Sequence, residues 1–339
     1  MNRVIRHPAF FGSVAIAALG IISSDSALLP GILFWAALLQ GMFALVAAAE
    51  LAEGRWLVPA RKVILDLHPY MLILPVAFLA FSKNIAVYGW MEHPNVWLNP
   101  AFFIIRNVAV FILTWYLAWR LAGAIRSGSS KVGRLAVYYI LAFVLSQSLL
   151  AFDLVMSFEF PWISTLLGGY FFIEALFGGL ALTAIISLSL VKRDPALKDR
   201  VLRDSSTFLF GFSLLWVGQF FAQYLVIWYG NIPAEQAFLV SRLTEPPLSI
   251  VAVCVILFMF FIPFTALLSK KAKTSANAMI PITGLIFTGI LLERLLFLIP
   301  VTGLNPFLTV LAFLAIGLPM VIGIRGGLRP APGEVSITS

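Results

Sequence analysis

Ten long runs of predominantly apolar residues constrain this chain more than any other feature of its sequence. A helix that crosses the hydrocarbon core of a bilayer needs about 20 such residues. Only 11% of the residues are charged, whereas an average soluble chain has about 25%. The sequence therefore predicts an all-α, polytopic membrane protein, with one integral membrane domain over residues 1–339. The predicted spans are residues 8–23, 28–49, 69–89, 99–121, 134–157, 162–190, 206–229, 244–268, 276–298 and 303–324.

Basic residues alternate with these runs in a way that predicts the topology. All but four of the 23 Lys and Arg residues fall into six polar segments. With ten spans, all six segments lie on the same side of the membrane, and the positive-inside rule makes that side cytoplasmic. We therefore expect a bacterial inner-membrane protein with both termini in the cytoplasm, whose first apolar run is a span rather than a cleaved signal peptide. The segments are residues 1–7, 50–68, 119–134, 191–205, 269–275 and the C-terminal tail.

Two carboxylates interrupt the apolar runs on either side of a predicted turn. Asp153 lies in the fifth run and Glu174 in the sixth, and a carboxylate in hydrocarbon costs roughly 2.5–3.5 kcal/mol. Helical spacing places Asp153 on one face with Ser146 and Ser157, and Glu174 on one face with Tyr170. Both faces are therefore expected to turn away from lipid. Such acids form either structural hydrogen bonds between helices or a proton or quinol path, and both interpretations stay open.

Four cations lie apart from the basic segments, within the apolar runs or at their outer ends: Lys83, Arg106, Arg242 and Arg294. Each is expected to find an acidic or carbonyl partner. For Lys83 and Arg242, snorkelling to the outer surface is an open alternative. Glu293 directly precedes Arg294, and because adjacent helical residues do not face each other, we expect the two to pair with different neighbours.

The outer loops at residues 84–98 and 226–245 resemble each other. Each begins with interfacial aromatic residues, turns through Pro and Asn, and leads to an arginine, Arg106 or Arg242. This weak internal repeat predicts two related four-helix bundles, with chance similarity as the alternative. The bundles are predicted at residues 28–157 and 162–298, and the flanking helices at residues 8–23 and 303–324.

Cysteine and histidine usage limits the redox centres that the chain can hold. A single cysteine, Cys254, excludes an internal disulfide and, for practical purposes, thiolate-bound metals and iron–sulfur clusters. The histidines His7, His68 and His93 fall at predicted helix ends or in loops, away from the positions that the axial ligands of a membrane haem require. We therefore expect no cofactor bound by this chain. Nucleic-acid binding is not expected either, because the basic residues belong to loops between spans.

Six stretches, in order over nearly the whole chain, match the pattern of one family. They are LNPAFFIIR (98–106), FDLVMSFEFPWIST (152–165), YFF (170–172), QYLVIWYGNIPAEQ (223–236), FIPFTALLSKKAK (261–273) and GILLERLLFLIP (289–300). Together they resemble the ActF-type integral membrane subunit of alternative complex III, a bacterial quinol oxidoreductase, within the wider NrfD/PsrC-like group. WYGNIP with its preceding Gln-Tyr is the most specific stretch. The family pattern close to SLDPHWFST reads SFEFPWIST here, so the family histidine is absent and Glu159 replaces its second aspartate.

This resemblance implies two four-helix bundles with flanking helices, in agreement with the internal repeat. It also implies a membrane subunit without its own redox centre, which contributes to a quinol-site environment, a transmembrane proton path, or both. The implied partners are a paired NrfD-like membrane subunit, iron–sulfur and haem c subunits, the lipid bilayer, and quinol or menaquinol. Two other classes share these features, namely a secondary transporter and a purely structural membrane scaffold.

The candidate site residues follow from the buried charges and from the resemblance. The proton-path candidates are Asp153, Glu174, Lys83, Arg106, His68 and Glu293. The polar candidates of the second bundle are Gln223, Tyr224 and Arg242.

Overall fold

The computed structural model describes residues 26–160, 162–191 and 194–328, together with residues 8, 12–16 and 18. Within these ranges every regular element is helical, so the predicted all-α class is confirmed. The helices that build the fold are α1 (Leu29–Ala52), α2 (Val58–Asp66), α3 (Ile73–Ser82), α4 (Pro100–Arg126), α5 (Val132–Leu154), α6 (Leu167–Leu190), α7 (Pro195–Gly230), α8 (Pro233–Leu243), α9 (Leu248–Leu268), α10 (Ala276–Leu298) and α11 (Pro306–Gly327).

Three of these helices begin at an Asn-Pro or Asp-Pro pair. The side chains of Asn99, Asp194 and Asn305 each accept a hydrogen bond from a backbone N–H in the first turn of α4, α7 and α11. The following proline occupies the first helical position, where its missing N–H costs nothing. These short polar-Pro pairs explain why long apolar runs start as helices at defined residues.

Eight of the described helices are long and apolar enough to cross a membrane, and the bent pair of α2 with the segment His68–Ser82 raises the number to nine. The predicted first span, residues 8–23, lies mostly outside the described residues. The predicted number of ten is therefore not confirmed. Helix α7 has 36 residues and a length of roughly 54 Å, so it extends well beyond a hydrocarbon core of about 30 Å.

The prediction that residues 69–89 form one continuous helical span is wrong. The chain instead follows α2, a 3₁₀ segment at His68–Leu72 and α3, with a bend of 43° between the two halves. Pro69 provides no backbone N–H and disfavours the α conformation in the residue before it, which accounts for the break. Helix α3 ends at Ser82, and residues 85–92 form two short 3₁₀ turns rather than the outer end of a span.

The long helices pack as two rings of four. In the first ring α1 packs against α5, α5 against α4, α4 against α3, and α3 returns to α1. In the second ring α6 packs against α7, α7 against α9, α9 against α10, and α10 returns to α6. Helix α1 also makes the most extensive contact with α6 and carries α11 on its other side, so it joins the two bundles.

Two glycines allow α1 and α6 to approach closely. A Cβ atom added to Gly41 would lie 2.0 Å from the carbonyl oxygen of Ala175, and one added to Gly179 would lie 2.6 Å from the backbone of Gly41. Small residues at such contacts are a common means of packing membrane helices. Gly179 therefore serves helix packing, and the interface between the bundles depends on the absence of a side chain at these two positions.

We expect Gly41→Ala to destabilise the fold by about 1–3 kcal/mol, because overpacking forces the two helix backbones apart. The midpoint of thermal unfolding in detergent micelles, followed by tryptophan fluorescence, measures this effect. Gly211→Ala in α7 is the matched control, since a Cβ atom there meets nothing within 4 Å. Equal midpoints for the two variants would contradict the close helix contact.

The two ends of α4 test the topology. The loop before α4 contains Val96, which is 93% exposed, and the loop after α4 contains the exposed Ser130. In a Cys254→Ser background, Val96→Cys should react with a membrane-impermeant thiol reagent added outside the cell, and Ser130→Cys should react only after the membrane is opened. Labelling of both cysteines from the same side would contradict the orientation that the basic residues predict.

Candidate functional site

The first bundle contains an ion pair between α4 and α5. Arg106 donates from Nε to Asp153 Oδ2 at 2.6 Å and from Nη2 to Oδ1 at 2.8 Å, and the Asn107 amide adds a third hydrogen bond at 2.7 Å. Arg106 also donates to the carbonyl oxygen of Trp97 and lies against its ring. Both Arg106 and Asp153 are buried. The expectation that the Asp153 face turns into the protein is thus correct.

This geometry holds the Asp153 carboxyl group with three hydrogen bonds. A bidentate arginine matches a carboxylate in both shape and charge. The nearby Tyr88 lies in the loop between α3 and α4, where burial and then the negative charge of Asp153 raise the pKa of its phenol well above the ordinary value. Tyr88 therefore stays neutral. The Arg106–Asp153 pair acts as a clamp between α4 and α5.

Two proton-path candidates lie away from Asp153. Lys83 is exposed at the C-terminal end of α3. His68 Nδ1 lies 2.9 Å from the carbonyl oxygen of Leu65, which accepts its hydrogen bond, at the bend next to Asp66. Asp66 pairs with Arg126 at the far end of α4, which is 20 residues, or roughly 30 Å of helix, from Arg106. Of the two cations considered for Asp153, the structure therefore selects Arg106 rather than Lys83, and a role of Lys83 and His68 in a proton path stays a prediction.

The second bundle contains a buried cluster of two carboxyl groups, one guanidinium and one phenol. Arg294 Nη2 donates to Glu174 Oε2 at 2.6 Å, and Tyr170 OH donates to Glu293 Oε1 in a short hydrogen bond. The Arg294 guanidinium lies 3.9 Å above the ring of Phe171. Glu293 and Arg294 have different partners, as their adjacency on a helix predicts. The cluster joins α6 to α10 about two turns from the N-terminal end of α6.

Charges in this cluster do not balance when both carboxyl groups are ionised. Glu174 and Glu293 lie close enough to interact, and Arg294 is the only cation that pairs with either among the described residues. Four buried polar atoms of the cluster have no hydrogen-bond partner there: Glu174 Oε1, Glu293 Oε2, Arg294 Nε and Arg294 Nη1. An isolated carboxylate in such an interior costs so much that it takes up a proton instead. The composition of the cluster therefore favours one proton shared by two carboxyl groups.

Arg242 joins the segment that follows α5 to the C-terminal end of α10. It lies in the short helix α8 rather than in a span, and it is 2% exposed, so it does not snorkel. Its guanidinium pairs with Glu159 and donates to the carbonyl oxygens of Leu296 and Phe297. Burial lowers the pKa of Arg242, and the charge of Glu159 opposes that shift. Every guanidinium nitrogen of Arg242 donates a hydrogen bond, so the role of Arg242 is structural.

The other two candidates in the second bundle differ in position. Gln223 on α7 accepts a hydrogen bond from the Ser164 hydroxyl and lines a cavity next to Glu293. Tyr224 is 37% exposed on the outer face of α7 and does not reach this cavity. Tyr224 lines a neighbouring groove instead, and its candidacy stays a prediction.

A cavity of about 640 Å³, measured with its open mouth, lies beneath α8. Its walls are almost wholly apolar and come from α6, α7, α8, α9 and α10. Trp162 stacks on Phe238 with ring centroids 3.9 Å apart, and Phe238 lies next to Phe297. Tyr170 and Glu293 connect the cavity to the buried cluster.

Sequence reasoning missed a polar network in the middle of the first bundle. The side-chain amide of Gln40 donates to Thr114 at 3.3 Å and accepts from Gln147 at 2.8 Å. The backbone carbonyl oxygen of Gln40 accepts from the hydroxyl group of Tyr139. A glutamine isolated within an apolar run is the feature of the sequence that could have indicated this network. Asn107, beside Arg106, is an amide of the same kind. The network ties α1, α4 and α5 together with neutral groups.

A scan of the chain against protein-family models finds no match, and a search of curated proteins finds no significant match.

Proposed function

We propose that this chain is an NrfD-like integral membrane subunit of a bacterial quinol oxidoreductase complex similar to alternative complex III. In this role the chain carries no redox centre, lies in the cytoplasmic membrane with both termini inside, and exchanges protons through its second bundle. Its partners are a paired NrfD-like subunit, iron–sulfur and haem c subunits, and quinol. The six family-like stretches suggest this function, and the buried charges within them support it.

One observation carries the proton-exchange part of the proposal: two carboxyl groups share one arginine in the buried cluster of Tyr170, Glu174, Glu293 and Arg294. A group that moves protons needs a neutral and an ionised form of similar free energy. The cluster provides this because two carboxyl groups lie close together beside one guanidinium, so a proton on either of them leaves one carboxylate for one cation. Asp153, with one arginine and one amide of its own, has no comparable alternative.

Proton movement between the cluster and the outer surface has a short route. Tyr170 and Glu293 both line the cavity beneath α8, and Glu293 is five residues from the end of α10, or roughly 8 Å of helix. The phenol of Tyr170 can pass a proton to or from Glu293 through their existing hydrogen bond. The cluster is therefore better placed for exchange with the outer side than with the cytoplasm.

Purification of the chain in mild detergent from the cells that make it tests the proposed assembly. We expect it to co-purify with multi-haem c and iron–sulfur subunits, and to lose them together when the detergent is made harsher. A chain that comes out alone or as a homo-oligomer, without haem or iron–sulfur absorption, would contradict the proposal and favour a secondary transporter.

A further inference from the structure

We propose that the turn between α4 and α5 binds the phosphate headgroup of an anionic phospholipid. The site is a groove of about 610 Å³, measured with its open mouth, and its lining includes Trp119, Arg120 and Lys131. It lies on the side of the membrane that the basic residues predict to be cytoplasmic. The site does not depend on the proposed function, because a transporter or a scaffold subunit with this turn would bind the same lipid.

The backbone of the turn fixes the shape of the groove. The N–H group of Ser129 donates to the carbonyl oxygen of Ala124, and this bond spans the last turn of α4. The N–H group of Gly128 donates to the carbonyl oxygen of Ile125, which completes the Schellman arrangement that ends many helices. Gly128 has a φ of 62°, in the left-handed region that this arrangement requires. The groove therefore has a defined form, set by the turn itself.

Arg120 and Lys131 bring two positive charges to the groove that no carboxylate neutralises. Both residues are exposed, and neither forms an ion pair with any residue that the structure describes. Arg126 lies between them in the sequence and differs from them, because it pairs with Asp66. A Lys or Arg near a membrane surface strengthens the binding of an anionic lipid by about fivefold. The charge of the groove therefore favours an anionic ligand.

The polar groups of the groove suit the oxygens of a phosphate. Arg120 Nη1 donates to the hydroxyl group of Tyr116 at 2.6 Å, and this bond places the guanidinium beside the tyrosine ring. Within the described part of the chain, Arg120 Nε and Nη2 have no acceptor. The Ser129 hydroxyl accepts from the backbone N–H of Lys131 at 3.3 Å and can still donate its own proton. Arginine and lysine are the usual binders of phosphate groups, so these donors can share one phosphate.

The position of the groove along α4 favours a lipid over a free anion. Arg120 lies 20 residues after Pro100, or roughly 30 Å of helix, which is about the thickness of a hydrocarbon core. The groove is therefore at the level of the lipid headgroups, where the exposed ring of Trp119 is a typical interfacial residue. Exposed apolar and aromatic side chains continue from the groove along both helices and can contact acyl chains: Leu113, Tyr116, Tyr138 and Leu141.

Native mass spectrometry of the full, delipidated chain in detergent micelles tests the class of ligand. The probes are dioleoyl phosphatidylglycerol and dioleoyl phosphatidylcholine, which have the same acyl chains and differ in headgroup charge. We expect phosphatidylglycerol to bind about tenfold more tightly, because the choline group brings a positive charge to a basic groove. Equal binding of the two lipids would overturn the inference. Inorganic phosphate that binds as tightly as phosphatidylglycerol would overturn it too, since the site would then be one for a free anion.

Two variants and one control test the groove itself. Arg120→Gln combined with Lys131→Gln should weaken phosphatidylglycerol binding about 25-fold, since two cations are lost. Lys270→Gln combined with Lys271→Gln is the matched control, because both lysines are exposed on the same predicted side and neither lines the groove. Gly123→Leu keeps every charge and should weaken binding as well. A Cβ atom at Gly123 meets nothing within 4 Å, so a leucine there fills the groove without a clash.

An unchanged melting temperature shows that each variant is folded. Equal weakening by the groove pair and by the control pair would mean a general attraction of lipid to a basic surface, and it would overturn the inference. Unchanged binding in Gly123→Leu would also overturn it, because the lipid would then not enter the groove. The co-purification test is independent of these results. A failed lipid titration leaves the proposed complex standing, and failed co-purification leaves the lipid site standing.

Discussion

Replacing Glu174 by Gln should lower the proton-coupled turnover of the assembled complex by about tenfold or more, with assembly intact, since proton transfer by a positioned group contributes about 10²–10⁴-fold. The side chain keeps its shape, and its amide oxygen can still accept from Arg294 Nη2. What changes is the number of carboxyl groups. Glu293 is then the one carboxyl group of the cluster, and no shared proton remains.

Turnover is measured as quinol-dependent reduction of the acceptor by the complex in proteoliposomes, together with the pH change inside them. Glu92→Gln is the matched control, because Glu92 is exposed in an outer loop. Full turnover and full proton movement in the Glu174→Gln complex would exclude a role in proton exchange and leave the cluster as a structural contact between α6 and α10.

Replacing Arg106 by Leu should destabilise the protein by about 3–5 kcal/mol, because it leaves Asp153 as a buried, unpaired charge. For many proteins this is a large part of the total stability, so we expect little folded chain in the membrane. The yield of detergent-extracted monodisperse protein and its melting temperature measure the effect.

The double variant Arg106→Leu with Asp153→Leu should recover much of this loss, since removing both members of a buried pair is often close to neutral. Arg126→Leu provides the control, because the Arg126–Asp66 pair is exposed and exposed pairs contribute about 0–1 kcal/mol. An Arg106→Leu chain that is as stable as the Arg126→Leu chain would show that the Arg106–Asp153 pair is no clamp.

Much of the architecture could be predicted because it depends on hydrophobic run length. Asp153 and Glu174 stood out because a charge inside an apolar run needs a partner, and both are buried in the bundles. The short helix α8 could not be foreseen in the same way. Its sequence, Pro233 to Leu243, reads as a loop between spans, and its helical form depends on packing against α9 and α7.

The partners of the charges were harder to predict than their burial. Helical spacing identifies residues on one face of one helix, but it does not say which neighbouring helix that face meets. Asp153 could therefore be matched with Lys83 or Arg106, and only the tertiary structure selects Arg106. The pairing of Glu174 with Arg294, 120 residues away, had no local signal. Trp162 likewise shows its place on the cavity wall only after α8 has folded over it.

Infrared difference spectroscopy of the full chain in lipid, at neutral pH, tests most directly whether the cluster of Glu174, Glu293 and Arg294 holds a shared proton. The C=O stretching band of a protonated carboxyl group, identified by its shift in heavy water, is the signal. We expect this band in the unmodified chain and in Glu92→Gln, and its loss in Glu174→Gln and in Glu293→Gln alike, because either change leaves one carboxylate for one guanidinium. A band that is absent from the unmodified chain, or that persists in both cluster variants, would contradict the shared proton.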